Sequence, residues 1–186
     1  MNAASLVLSP TREAARPRRA PDRRRTTPSI PVRYRAAVSG EAPALLALID
    51  AHRDEGHLLP RHFDELSQRA QRFVVAARGR RIIGCAELVP LSHQVAEVRS
   101  LVVDSSVRSR GVGKRLLAEV EARASAAGFE RLCAFTHDAS YFVHLGFSLV
   151  PHASVPEKIA ADCVACDLFR RCSQQAVLVH LTGSCD

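Results

Sequence analysis

Glu97-Val-Arg-Ser-Leu-Val-Val-Asp-Ser-Ser-Val-Arg-Ser-Arg-Gly-Val-Gly-Lys-Arg-Leu-Leu117 changes character twice along its length. It opens as a strand of apolar, β-branched residues, passes through a short polar turn, and enters an amphipathic helix through Gly111 and Gly113. A helix N-terminus presents backbone N–H groups without intrahelical partners, together with the positive end of the helix dipole. Two glycines remove the Cβ atoms that would hold a phosphate at a distance. Arg108, Arg110 and Lys114 add formal positive charge around them. Such a strand, turn and helix entry make an anion cradle, whereas a lone Gly-x-Gly is often only a turn with close packing.

Working outward, Arg72-Phe-Val-Val-Ala-Ala77 and Arg81-Ile-Ile-Gly-Cys-Ala-Glu-Leu-Val89 read as two strands joined at Gly79, preceding the strand over 95–103. Upstream, Val32–Val38 is a strand. Ser39 can cap a helix with Pro43 in its first turn and Ala44, Leu45, Leu48 and Ile49 on its apolar face. A loop over 54–61 leads to a second helix near 62–70. Downstream, the helix from 111 to about 127 stops at Gly128. A strand at 131–135, a short helix over 138–145, extended chain from Gly146 to Val150 and a last strand at 175–181 complete the chain.

Arg108-Ser-Arg-Gly111-Val-Gly113 fits Arg/Gln-x-x-Gly-x-Gly/Ala, and here the chain resembles the GNAT acyl-CoA N-acyltransferases. The order β-α-α-β-β-β-α-β-α-β-β and the ending Tyr141-Phe-Val-His-Leu-Gly-Phe147 extend that resemblance over about 32–182. It implies an α/β fold with a twisted, mixed but mostly antiparallel sheet, splayed between its fourth and fifth strands and flanked by helices. It also implies that acetyl-CoA is held by Leu101, Val102, Val103, Arg108, Ser109, Arg110, Gly111, Val112, Gly113 and Lys114. By position, the Leu101 N–H would meet the thioester oxygen and Val103 would pair with pantetheine. An ordinary strand pairing with its neighbour is the alternative.

Gly56-His-Leu-Leu-Pro-Arg61, Glu97–Val103, Pro156-Glu-Lys158 and the segment Asp162–Cys172 resemble one branch of that family, the short bacterial N-acetylglutamate synthases. The branch implies acetyl transfer to the α-amine of glutamate, the entry to arginine synthesis, with Arg61, Arg99 and Lys158 around the acceptor's carboxylates. Cations are what a dicarboxylate pocket needs, although each of these alone is commonly a solvated surface charge. Glutamine, another small amine or a protein N-terminus remain alternative acceptors, and so does a non-catalytic acyl-CoA-binding module.

Acetyl transfer to an amine requires a deprotonated nucleophile, a polarised carbonyl and a proton for the leaving thiolate. Glu97 stands where some GNAT enzymes carry a catalytic glutamate, and it serves equally as a salt-bridge partner for Arg99. The family's usual thiolate-protonating tyrosine position is occupied here by Phe142, with Tyr141 adjacent and facing differently on a helix. Tyr141 is therefore the candidate acid, with another donor or water as the alternative.

Cys163-x2-Cys166-x5-Cys172 could hold zinc or an iron–sulfur cluster with His152, His180 or Cys185 as a fourth ligand, or could be packed thiols in a tight loop. Cys85 and Cys133 fall in strands and read as core.

Charge is uneven along the 186 residues. Residues 1–31 hold seven arginines against Glu13 and Asp22, so +5 of the net +7 belongs to them. With five prolines and no apolar periodicity, this stretch reads as a disordered tail, an unstructured extension or an early start codon being favoured over a transit peptide. The remaining domain is nearly neutral, which argues against a nucleic-acid-binding module. No stretch reaches the ~20 apolar residues of a membrane span. The absence of a secretory apolar segment places the six cysteines as thiols in a cytoplasm. A small amino-acid substrate, no nucleic acid, no membrane and an optional homodimer complete the expectation.

Overall fold

The computed structural model describes residues 30–53, 58 and 60–181. The tail expected over 1–31 lies, apart from Ile30 and Pro31, outside the described residues, as do residues 54–57 and 59 of the 54–61 loop and Cys185. Strands β1 (Val32–Ala36), β2 (Phe73–Arg78), β3 (Arg81–Pro90), β4 (Val95–Val103), β5 (Arg131–Thr136), β6 (Ser148–Val150) and β7 (Gln175–His180) form one sheet. Its order is β1-β2-β3-β4-β5-β7-β6.

Helices α1 (Ala42–Ala51) and α2 (Phe63–Arg69) cover one face with Leu45, Ile49 and Leu66. Helices α3 (Val112–Ala126) and α4 (Ala139–Val143) cover the other with Leu116, Leu117, Val120 and Phe142. A central strand covered on both sides must be apolar on both sides. Accordingly Phe73 and Val75 of β2 enter the α1 side while Val74 and Ala76 enter the α3 side. Gly84 lets α3 approach: a Cβ there would lie 3.0 Å from Leu116 Cδ1 and 3.1 Å from the Val102 carbonyl oxygen.

Every neighbouring pair is antiparallel except β4 and β5, which run parallel and pair only at Val95–Arg131, Ala96–Leu132 and Glu97–Cys133. Past Glu97, β4 continues against β3 alone while β5 continues against β7. The expected splay between the fourth and fifth strands is therefore present, and it starts at Glu97.

Two local expectations need correction. A regular strand over 95–103 is interrupted by a bulge: Cys85 and Glu87 of β3 face Val102 and Arg99, so β4 spends three steps where β3 spends two. Ser100 absorbs the extra residue at φ +49°. Alternation then resets. Val102 joins the α1-side core with Cys85, and Leu101 and Val103 pack toward the α3 side. Without the bulge, Leu101 would share a face with Glu97 and Arg99.

The start of α1 also differs. A single turn at Ser39–Glu41 precedes it, tied by the Glu41 carboxylate, which accepts from the Val38 N–H at 3.0 Å and pairs with Arg35 at 2.6 and 2.8 Å. Beginning at Ala42 puts Ala42, Leu45 and Ile49 in helical register, so Ala42 is buried and Ala44 faces outward.

Candidate active site

The loop after β4 is built from its first residue. The Asp104 carboxylate accepts from the Ser106 N–H at 2.9 Å and its hydroxyl at 2.6 Å, and pairs with Arg81 at 2.5 Å. Those hydrogen bonds from Ser106 do most to pull its carboxyl down to about 2; burial opposes them, and the Arg81 hydrogen bond and charge add to them. His52, at the end of α1, donates from Nδ1 to the Leu48 carbonyl at 2.9 Å. Its Nε2 is then free to accept from the Ser105 N–H at 3.3 Å. Arg108 donates from Nε to the Val103 carbonyl at 3.1 Å. The chain thus arrives at α3 through two left-handed residues, Ser109 at φ +60° and Gly111 at φ +77°.

Gly111 is required for its backbone angle rather than for space, since a Cβ there would meet nothing within 4 Å. The first helical bond runs from the Arg115 N–H to the Gly111 carbonyl at 3.0 Å. The N–H groups of Val112, Gly113 and Lys114 therefore have no acceptor within the helix and open at its N-terminus. Arg108, Ser109, Arg110 and Lys114 are exposed around them, and Val112 is buried beneath. Loop and helix can hold a phosphate group through backbone donors, dipole and guanidinium charge together. Of the three strand residues expected beside this loop, Leu101 and Val103 are half-buried, whereas Val102 faces into the core.

Beside the opening of the splay stand four charged groups. Glu97, with only 3% of its side chain exposed, binds Lys158 through both oxygens at 2.8 and 3.0 Å and Arg99 Nε through Oε2 at 2.5 Å. Arg99 also pairs with Asp162, and Lys158 Nζ reaches the same Asp162 oxygen at 2.9 Å. Lys158 further lies 5.4 Å over the Phe135 ring. It is placed there by α5 (Pro156–Lys158), anchored by buried Val155 against Val95, Cys133 and Leu178 and by Glu157 on Arg131 at 2.9 Å. Asp162 follows on a π-helical turn, Ile159–Cys163, closed by the Val164 N–H on the Ile159 carbonyl at 3.1 Å. Burial works to raise the Asp162 carboxyl, but Lys158 and Arg99 outweigh it and hold it below its ordinary value.

Arg61 lies in a neighbouring group. It pairs with fully buried Glu87 at 2.7 Å and with Glu65 at 3.1 Å, donates to the Ser100 hydroxyl at 3.1 Å, and stacks 5.8 Å over Phe73. Thus Glu97, Arg99 and Lys158 are brought together with Asp162, while Arg61 is engaged by two other carboxylates. Glu87, Asp162, Ser100 and His52 escape the sequence reading. A glutamate inside the apolar strand 81–89 was the one legible signal for Glu87.

Phe142 is buried edge-to-face against Phe147 at 5.4 Å and belongs to the core. Tyr141 lies against the phosphate loop: its hydroxyl is 2.5 Å from where a Gly113 Cβ would stand, a position itself 3.5 Å from Val103 Cγ2. Burial raises its phenol above the ordinary value, so it stays protonated at neutral pH.

The zinc expectation for Cys163, Cys166 and Cys172 finds no support. Among the described residues no group of three or more His, Cys, Asp or Glu side chains is placed to hold a metal. Successive turns, Cys166 N–H to the Cys163 carbonyl and Phe169 N–H to the Cys166 carbonyl, leave Cys166 and Cys172 exposed. His152 is instead engaged with the Gln174 carbonyl at 2.8 Å. The packed-thiol alternative does not describe exposed Cys166 and Cys172 either; Cys163 is half-buried, and among the described cysteines Cys85 and Cys133 are buried.

Residues 43–147, more than half of the chain and spanning loop, splay and Tyr141, match the acetyltransferase (GNAT) family model. The chain belongs to the GNAT acetyltransferase family. Within it, the chain is 27% identical over 154 residues to the uncharacterized N-acetyltransferase CT2212 of Chlorobaculum tepidum, covering 83% of this chain and 99% of that protein. It is 30% identical over 133 residues to an amino-acid acetyltransferase of Neisseria meningitidis, covering 70% of this chain and 30% of the relative. Among solved GNAT structures it is similar to N-acetylglutamate synthase from Neisseria gonorrhoeae complexed with coenzyme A and N-acetyl-glutamate, with TM-score 0.73 and 26% identity. That match covers 81% of this chain and 35% of the synthase, so the chain spans about a third of the amino-acid acetyltransferases it resembles. Among the described residues, no helix of this GNAT protein is long and apolar enough to cross a membrane.

Proposed function

We propose that this acetyltransferase moves the acetyl group of acetyl-CoA to the α-amine of an amino acid, with L-glutamate as the acceptor, in the cytoplasm and at the entry to arginine synthesis. The observation that carries the reading is the placement of Arg99 and Lys158 on Glu97, where β4 and β5 part. The splay gives the acyl donor an open strand edge, and two cations beside it suit a carboxylate-bearing acceptor. Similarity to amino-acid acetyltransferases and to N-acetylglutamate synthase points the same way.

In this reading the backbone donors of Val112, Gly113 and Lys114, with Arg108 and Arg110, hold the pyrophosphate of the donor. The glycine conformation at 111 and the open space beyond it fit that group. The Leu101 N–H polarises the thioester carbonyl, and Val103 pairs with pantetheine. Transfer breaks the thioester C–S bond and forms an amide C–N bond. The amine loses a proton toward Glu97, and the departing thiolate takes one from Tyr141. Arg99 and Lys158 seat the acceptor. Arg61, already matched by Glu87 and Glu65, holds the Ser100 bulge and the strand edge in place.

Lys158→Met should raise the glutamate KM by about tenfold or more, with the acetyl-CoA KM nearly unchanged. An unchanged glutamate KM, or an equal loss for both substrates, would remove Lys158 from the acceptor site.

A further inference from the structure

Two cations stand in the acceptor cluster, and two carboxylates already satisfy them. Glu97 is the inner one, its side chain 3% exposed. Asp162 is the outer one, its side chain 39% exposed, bound by Arg99 and Lys158 from the solvent side. A third carboxylate arriving from solvent meets the same two donors that Asp162 holds, and with Asp162 seated there is no uncompensated positive charge to receive it. The chain around Asp162 is suited to release it. Asp162 lies on a π-helical turn with an i→i+5 closure at Ile159–Val164, a rare conformation that occurs mostly as single turns and frequently at functional sites. Beyond that turn Val164, Cys166, Leu168 and Phe169 are exposed, so little packing fixes it from its C-terminal side. Upstream, by contrast, Val155 is buried and Lys158 is 13% exposed, so the cation is fixed while its outer partner is not.

We infer that Asp162 occupies the acceptor carboxylate's seat on Arg99 and Lys158 and must leave when the acceptor binds, so that it sets the affinity and carboxylate preference of the site. This rests on the amino-acid acceptor reading above. It makes Asp162 a specificity-determining residue that acts by competition and takes no part in the chemistry. The exchange conserves charge: one carboxylate leaves two donors and another takes them. Asp162→Asn keeps the shape but removes the competitor, leaving one unmatched positive charge in the seat. Asp162→Glu keeps the competitor.

Isothermal titration of the full chain with glutarate, a dicarboxylate with no amine to acetylate, separates the outcomes. Circular dichroism melts serve as the folding control. Asp162→Asn should bind glutarate roughly three- to tenfold tighter than wild type, as expected for freeing two charge-assisted hydrogen bonds at a partly exposed site. Asp162→Glu should remain within about twofold of wild type. In turnover, Asp162→Asn should lower the glutamate KM by a similar factor with the acetyl-CoA KM unmoved. Equal or weaker glutarate binding by a folded Asp162→Asn chain would overturn the competition while leaving the acceptor reading intact. Weaker binding would show Asp162 contributing to the ligand site. If no variant binds glutarate or glutamate although coenzyme A binds all of them, the acceptor reading itself falls. Should Asp162→Asn not fold, Asp162→Ser and the Asp162→Glu control carry the same comparison.

Discussion

Replacing Arg61 tests whether that residue belongs to the acceptor or to the scaffold. Glu87 is fully buried, and one of its oxygens, Oε1, has no hydrogen-bond partner among the described residues. Its other oxygen rests on Arg61 at 2.7 Å, and the Arg61 side chain is only 10% exposed. Arg61→Met would strand a buried carboxylate on both oxygens, a loss of about 3–5 kcal/mol when one partner of a buried pair is removed. In a chain of this size each kcal/mol shifts Tm by about 2–4 °C, so the drop should be on the order of 10 °C. Glu87→Gln should cost less, about 1–2 kcal/mol, because the amide oxygen still accepts from Arg61 and Glu65 stays at 3.1 Å from the guanidinium. Arg61→Met combined with Glu87→Gln should recover at least about 1 kcal/mol relative to the sum of the single changes. The assay is thermal or urea unfolding of the four proteins with glutamate kinetics alongside. An Arg61→Met protein that melts with wild type but has a raised glutamate KM would refute the scaffold role and return Arg61 to the acceptor pocket.

Gly113→Ala would bring a Cβ to 2.5 Å from the Tyr141 hydroxyl, so the flexible, partly exposed ring should move aside. Activity should fall with Tm nearly constant, which kcat and a melt together would report. Asp104→Ala removes the cap of the turn that opens the phosphate loop, for about 1 kcal/mol at neutral pH. Because folding lowers the Asp104 carboxyl to about 2 from an unfolded value near 3.9, its contribution is full above pH ~4 and fades as pH falls toward 2. The Tm gap between variant and wild type should narrow over that interval. Burial raises the Cys85 and Cys133 thiols to about 12, so mass-mapped alkylation at pH 8 should label Cys166 and Cys172 and spare that pair.

The strand–loop–helix at 97–117 was legible because its physics is local: apolar β-branched residues, a glycine at a left-handed cap, and cations in the first turn. The splay between β4 and β5 came only from family resemblance, since no local pattern states where two strands separated by a helix stop pairing. The Ser100 bulge was not legible. A serine within Glu97–Val103 carries no mark of a positive φ, which is set by the registers that Cys85 and Glu87 impose from β3. The same holds for Asp162. Its role arises from Lys158 one turn earlier and Arg99 on β4, and sequence spacing predicts only the first of these. Tyr141 was expected to face differently from Phe142, and the absence of a side chain at Gly113 is what admits its hydroxyl beside the phosphate loop.

The proposed function is tested most directly by thiol release from acetyl-CoA with purified full-length chain and a panel of glutamate, glutamine, aspartate, alanine and lysine. With Arg99 and Lys158 as the proposed acceptor seat, glutamate should have the highest kcat/KM. Its lead over alanine and lysine should shrink in Arg99→Gln. Thiol release fastest with lysine, or none with any amino acid while coenzyme A still binds, would contradict it.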